Sequence, residues 1–226
     1  MRPTVAPFFH QPTGTWTYVV SDPASRDAAV IDPVLDYDWR SGRTGTASAD
    51  TVLGHIAAEG LSLRWILETH AHADHLSSAA YLQSRAGGRI AIGAGIRQVQ
   101  ATFKRIFGLD EEFVPDGRQF DRLLADGDTI ELGGIHGGVI ATPGHTSDSV
   151  SYLFGDALFV GDTVFMPDGG SARCDFPGGD AAELYRSVQH LYALPGATRV
   201  FVCHDYAPGG RAPPCERPSE PRRRPT

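Results

Sequence analysis

The 226-residue chain has almost no lysine: Lys104 stands alone among twenty basic residues. It has only three cysteines, Cys174, Cys203 and Cys215, too few and too scattered for a disulfide framework or a cysteine-rich zinc site. Cys203, inside the apolar run RVFVC, reads as a small buried hydrophobe. No stretch approaches the ~20 apolar residues of a membrane helix, so no membrane partner is expected. The N-terminal MRPTVAPFFHQPTGTW has no continuous apolar segment and is broken by three prolines, unlike a signal peptide, so a cytoplasmic protein is expected. Positive charge is also lacking. The net charge is −7, and the last twenty residues carry five Arg against two Glu, which leaves −10 for residues 1–206. So acidic a body excludes the basic face that nucleic-acid binding requires.

What is present is an ordinary globular composition, 41% apolar and 21% charged, long enough for a sizeable core. TWTYVVSD and AAVIDPV read as two early strands with a turn at 23–26, followed by a polar loop over 36–47. SADTVLGHIAAEG reads as a helix, LRWILE as a strand, SSAAYLQSRAG as a helix and RIAIG as a strand. A further helix over 95–107 carries Ile96, Val99, Phe103, Ile106 and Phe107 at helical spacing. Strands follow around TIEL, GGVIAT, VSYLF and ALFVG. Asp180 and Glu183 form a capping box for the helix DAAELYRSVQHLYAL, and TRVFVC is the last strand expected. Such alternation indicates a layered α/β domain over residues 1–206. The remainder, 207–226, is rich in Pro and Arg and has no large apolar side chain, so disorder is expected there.

Four apolar strands end on a metal-ligating residue type. WILET leads to His70, GGVIATPG to His145, ALFVG to Asp162 and RVFVC to His204. In α/β folds, sites gather beyond the carboxyl ends of strands, so these four deliveries converge on one rim. The segment Thr69-His70-Ala71-His72-Ala73-Asp74-His75 adds three imidazoles and a carboxylate separated only by alanines. Neutral imidazole and carboxylate suit divalent first-row metals.

THAHADH, PGHT and GDTVF, in this order and spacing, resemble the metallo-β-lactamase superfamily over roughly residues 10–206. The resemblance implies an α/β fold, a four-layer αβ/βα sandwich, with metal-site residues His70, His72, Asp74, His75, His145, Asp162 and His204. All seven are present, which argues against a catalytically inactive binding module of this fold.

Two chemistries then compete. One is a two-Zn(II) thioester hydrolase similar to glyoxalase II, since zinc lowers the pKa of water from about 15.7 to about 7. The other uses one Fe(II) per chain on His70, His145 and Asp162, the two-His, one-carboxylate set that leaves positions open for O2 and substrate. The stretch Ser171-Ala172-Arg173-Cys174-Asp175-Phe176-Pro177-Gly178-Gly179-Asp180, with Cys203-His204-Asp205-Tyr206, is similar to bacterial persulfide dioxygenases. That branch implies oxidation of glutathione persulfide, or a similar small persulfide, by O2 to sulfite and thiol. His72, Asp74 and His75 would then serve catalysis beside the iron, with His204 as a second-site candidate. Arg173 and Tyr206 are the candidate substrate contacts, Arg173 through charge-assisted hydrogen bonds. A homodimer is left open. The C-terminus departs from the relatives, which continue with structured sequence where this chain turns Pro/Arg-rich. In a chain so poor in lysine, that suggests a truncated or frameshifted end.

Overall fold

Residues along β2 (Thr15–Ser21) alternate between two cores, and that alternation sets the layering. Trp16, Tyr18 and Val20 face one way and Val19 the other, and every residue of the strand is buried. The computed structural model describes residues 2–217, in which β2 belongs to a sheet with five other strands. It is flanked by β1 (Thr4–His10) and β3 (Asp27–Ile31). After β3 come the short hairpin β4 (Val34–Asp38) and β5 (Arg43–Gly45), α1 (Ala47–Ala58), β6 (Ser62–Leu67) and β7 (Leu76–Ser77). Then follow α2 (Ala79–Ala86), β8 (Arg89–Gly93), α3 (Ile96–Phe107) and β9 (Arg122–Leu124). The first sheet runs β1-β2-β3-β6-β8-β9, and its last four strands are parallel.

The second half repeats the scheme with an antiparallel meander. It comprises β10 (Thr129–Leu132), β11 (Ile135–Ala141), β12 (Val150–Phe154) and β13 (Ala157–Phe159). After α4 (Ala181–Tyr192), β14 (Arg199–Phe201) joins parallel to β13, and β15 (Glu216–Arg217) closes the edge. Between the sheets, Tyr18, Ile31 and Leu67 meet Tyr152, Phe154 and Phe159 in one buried cluster. Val52, Ile56 and Leu82 of α1 and α2 cover the outer face of the first sheet. Leu191 of α4 covers the second against Leu158 and Val200. The result is the αβ/βα sandwich that the motifs imply. Strands buried on both faces read as unbroken apolar runs, which is why β3 and β13 carry no polar alternation.

One strand was not read from the sequence, and two expectations need correction. The proline-broken N-terminus forms β1, paired residue by residue with β2, and Pro7 is accommodated because β1 is an edge strand. The polar loop over 36–47 contains most of the β4–β5 hairpin. The tail is ordered through Arg217, so TRVFVC is not the last strand. Tyr18 Oη donates to the Cys215 carbonyl at 3.1 Å, and Arg211 forks onto Asp168 and Asp205. Buried Arg217 donates to the Phe165 carbonyl at 2.6 Å. Composition alone missed this, because the tail is held by backbone pairing and arginine rather than by large apolar side chains. Residues 218–226, the rest of the expected disordered tail, lie outside the described residues.

Two close approaches bring the loops over the rim. A Cβ at Gly95 would lie 2.3 Å from the Ser147 carbonyl, so glycine lets the start of α3 abut the loop after His145. Gly144 has φ 136°, and a Cβ there would lie 2.3 Å from Leu184 Cα, so the chain turns into His145 against the first turn of α4. That turn is capped by Asp180, which accepts from the amides of Ala182 and Glu183, both at 2.8 Å.

Truncation after Pro214 removes Cys215 and β15, and with them the bonds to Tyr18 and Phe165. Several buried hydrogen bonds at ~1 kcal/mol each should lower the melting temperature by about 5 °C or more. An unchanged thermal transition would show that β15 contributes nothing to the second sheet.

Candidate metal centre

β6 runs out at Leu67, and the next two residues are tied down one by one. The Glu68 amide donates to the Ala91 carbonyl at 2.9 Å, and Tyr152 Oη donates to the Glu68 carbonyl at 2.7 Å. The Thr69 amide and hydroxyl both donate to the carboxylate of Asp32, at 2.7 and 2.9 Å. Asp32 is itself buried at the end of β3, with a left-handed φ of 50°. His70 thus enters the site from a fixed stem. From the second sheet, β11 leads through Thr142-Pro143-Gly144 to His145, β13 leads to Asp162, and β14 leads to His204.

His70, His145 and Asp162 converge, with Nε2 of each ring 3.9 and 3.8 Å from Asp162 Oδ2. Hydrogen bonds select the tautomers. His70 Nδ1 donates to Thr69 Oγ1 at 3.0 Å, since that hydroxyl's proton is committed to Asp32. His145 Nδ1 donates to the Arg173 carbonyl at 2.7 Å. Both rings therefore turn an Nε2 lone pair toward the Asp162 carboxylate. This is the arrangement in which a ligating histidine is oriented by the hydrogen bond on its other nitrogen.

A second set, His72, Asp74 and His75, lies beside the first, and His204 with Asp162 and Cys203 forms a third. His72 places Nε2 3.1 Å from Asp32 Oδ1 and 3.5 Å from Glu68 Oε2, leaving Nδ1 inward. His75 Nδ1 meets the Leu76 carbonyl at 3.2 Å. His204 is held between carboxylates, Nδ1 to Asp162 Oδ1 at 2.6 Å and Nε2 to Asp74 Oδ2 at 2.8 Å. Thr15 Oγ1 also lies 2.9 Å from that Nε2.

The buried atoms His70 Nε2, His72 Nδ1 and His75 Nε2 have no hydrogen-bond partner. Three orphaned imidazole nitrogens around shared carboxylates would be costly unless a cation occupied their midst. The donor set therefore fits a divalent metal. Burial and neighbouring His72 push the His70 pKa well down and that of His75 down to about 3, which keeps both rings neutral. Burial opposes charge on Asp162, but His204 and His145 hold its pKa below the usual carboxylate range. Burial likewise opposes charge on His204, and Asp162 and Asp74 outweigh it, lifting the ring to about 9.

A family model described as the metallo-beta-lactamase superfamily matches residues 10–204. The chain belongs to this superfamily. It is 52% identical over 219 residues to a "Probable metallo-hydrolase" of Burkholderia pseudomallei, covering 92% of this chain and 74% of that one. A "Glyoxylase B2" of Dictyostelium discoideum is 45% identical, covering 88% and 69%. The mitochondrial persulfide dioxygenase ETHE1 of Homo sapiens is 33% identical, covering 85% and 64%. The crystal structure of ETHE1 from Myxococcus xanthus superposes with a TM-score of 0.72 at 31% identity, over 94% and 79%. The chain spans about half the length of some relatives, 49% of a "Beta-lactamase hydrolase-like protein" of Xylella fastidiosa. Members of the superfamily are metal-dependent enzymes. No helix among the described residues is long and apolar enough to cross a membrane.

Against that superfamily pattern, the two expected substrate contacts lie on the surface. The Arg173 guanidinium forks onto Asp175 at 2.6 and 2.8 Å, and it is the Arg173 carbonyl that reaches His145. Tyr206 is two-thirds exposed, its ring stacked on His204 at 5.7 Å. Cys203 is buried as expected, yet it also borders Asp32 and His72 on one side and Asp162 and His204 on the other.

Sequence reasoning missed three acids. Asp32 and Glu68 buttress His72, and Asp148 accepts from the Ala71 amide at 2.8 Å. Asp32 could have been found, since AAVID is a fifth apolar strand that ends on a potential ligand. Replacing Asp32 with Ala strands the Thr69 amide and one nitrogen of His72. The loss should be about 3 kcal/mol or more of stability, with metal affinity lowered roughly 10–100-fold. Asp32→Asn should fall between the two. Denaturant melts and a competitive chelator titration test this, and wild-type metal retention in Asp32→Ala would show that the buttress is dispensable.

Proposed function

We propose that the chain is a non-haem Fe(II) persulfide dioxygenase. It would oxidise a low-molecular-weight persulfide, with glutathione persulfide as the reference substrate, to sulfite and thiol. The balance is RSSH + O2 + H2O → RSH + SO3²⁻ + 2H⁺: the S–S bond breaks, the inner sulfur leaves as thiol, and the outer sulfur is oxidised as O2 is reduced. The observation that carries this reading is the convergence of His70, His145 and Asp162, with both nitrogens of His204 engaged by the Asp162 and Asp74 carboxylates. The likeness to ETHE1 in sequence and fold supports it. Iron(II) in a two-His, one-carboxylate set supplies a redox-active centre with open positions for O2 and a soft sulfur.

In this reading the protein's own groups position and exclude. Thr69 and the Arg173 carbonyl fix the tautomers of His70 and His145, and Asp162 supplies the anionic ligand. His72, Asp74 and His75 would surround the reacting sulfur as hydrogen-bonding and proton-holding groups, with Tyr206 as an outer substrate contact and the Arg173 guanidinium held by Asp175. A second reading, a two-Zn(II) thioester hydrolase, is favoured by the inward nitrogens of His72 and His75 and by the hydrolase and glyoxylase relatives.

Protein purified without added metal should carry close to one iron per chain. With glutathione persulfide it should consume oxygen and release about one sulfite per O2. Asp162→Ala and His145→Ala should lose metal and activity together, whereas His204→Ala should keep most of its iron. Two zinc ions per chain with turnover of S-lactoylglutathione, or loss of all metal in His204→Ala, would move the protein to the hydrolase reading.

A further inference from the structure

The apolar stripe of α3 is not used by the core. Of Ile96, Val99, Phe103, Ile106 and Phe107, only Ile96 is buried, while Ile106 is 50% and Phe107 68% exposed. Val99, Phe103 and Phe107 instead line a cleft of about 330 Å³ together with Thr146, Phe176 and Pro177. His72 and the two alanines that flank it also line the cleft. Phe103 and Phe107 stack at 5.5 Å, and Phe176 presents its ring edge-on to His145 at 5.3 Å. The cleft thus borders the metal centre at His72, and Phe176 links its wall to His145. Apart from His72, none of its lining side chains is ionisable. The nearest guanidinium, Arg173 over Phe176, is already committed to Asp175.

We propose that this cleft takes the organic group of the substrate thiol and that this group is apolar, an alkyl or aryl chain rather than a charged tripeptide. The inference rests on the persulfide reading above and names its carrier. A persulfide sulfur beside His72 and His145 directs the carbon chain outward between Phe176 and the α3 phenylalanines. There each methylene leaves water, whereas the two carboxylates and the ammonium of glutathione would find no counter-charge on the walls. A volume of about 330 Å³ is at the small end of ligand pockets, roughly 300–1,000 Å³, and suits a short chain or a single ring.

The test compares hexyl persulfide with glutathione persulfide on the iron-loaded full chain by oxygen uptake, and measures hexanethiol binding by calorimetry with no turnover. Hexyl persulfide should have the higher kcat/KM by roughly tenfold or more, the scale of burying one apolar side chain. Phe107→Ser, at an exposed position that the fold does not need, should weaken hexanethiol binding and reduce that preference several-fold, and Phe103→Ala should do the same. Preference for glutathione persulfide with no hexanethiol binding overturns the cleft assignment and leaves the dioxygenase standing. No oxygen uptake with either persulfide, but hexanethiol binding that Phe107→Ser abolishes, overturns the dioxygenase and keeps the apolar specificity. Self-association in sedimentation that Phe107→Ser abolishes, with no thiol binding, shows that α3 meets a second copy and overturns the proposal.

Discussion

The carboxylate of Asp32 is the tie on which the metal centre depends. It lies at the end of one parallel strand and accepts three hydrogen bonds from the residues following the next: the Thr69 amide, the Thr69 hydroxyl and His72 Nε2. Because Thr69 spends its proton on Asp32, its oxygen is left to accept from His70, so one buried acid fixes the tautomer of one ring and the orientation of another. Burial makes the arrangement strong as well as costly. A charged acceptor in a low-dielectric interior strengthens each bond, and removing it leaves donors that no water can reach.

The site is also where the two sheets are joined. His70, His72 and His75 come from the first sheet, and His145, Asp162 and His204 from the second. Aromatic packing between the sheets, Tyr18 against Phe159 at 5.1 Å and Phe201 at 5.5 Å, sets how far apart these two groups lie. Substitutions deep in the interlayer core therefore act on metal geometry without touching a ligand, because close-packed interiors transmit small shifts. Conversely, orphaned imidazoles at the rim oppose stability in the absence of a cation, so metal binding and folding are coupled.

Much of this was legible in the sequence, for identifiable reasons. Strands buried on both faces write themselves as apolar runs, and the spacing of THAHADH constrains three rings to one short loop. The ligating residue types at strand ends could be read because a parallel sheet puts those ends on one rim. The edge elements were not legible. β1 contains a proline that central strands exclude, and β15 contributes two residues held by Arg217 and a carbonyl of Cys215. Composition sees neither edge tolerance nor backbone pairing. Asp32, Glu68 and Asp148 went unread because a buried acid looks like a surface acid until its partners are known.

The helix α3 shows a further limit of periodicity. Its apolar residues recur at helical spacing, and that pattern normally states which face meets the core. Here only the first of them does so, and Phe103 and Phe107 stand over the loop that carries His72. Periodicity reports that a face avoids water; it does not report what it faces. Leaving two phenylalanines to water has a stability cost that folding alone gives no reason to bear, and beside a metal centre a substrate is one group that can cover them.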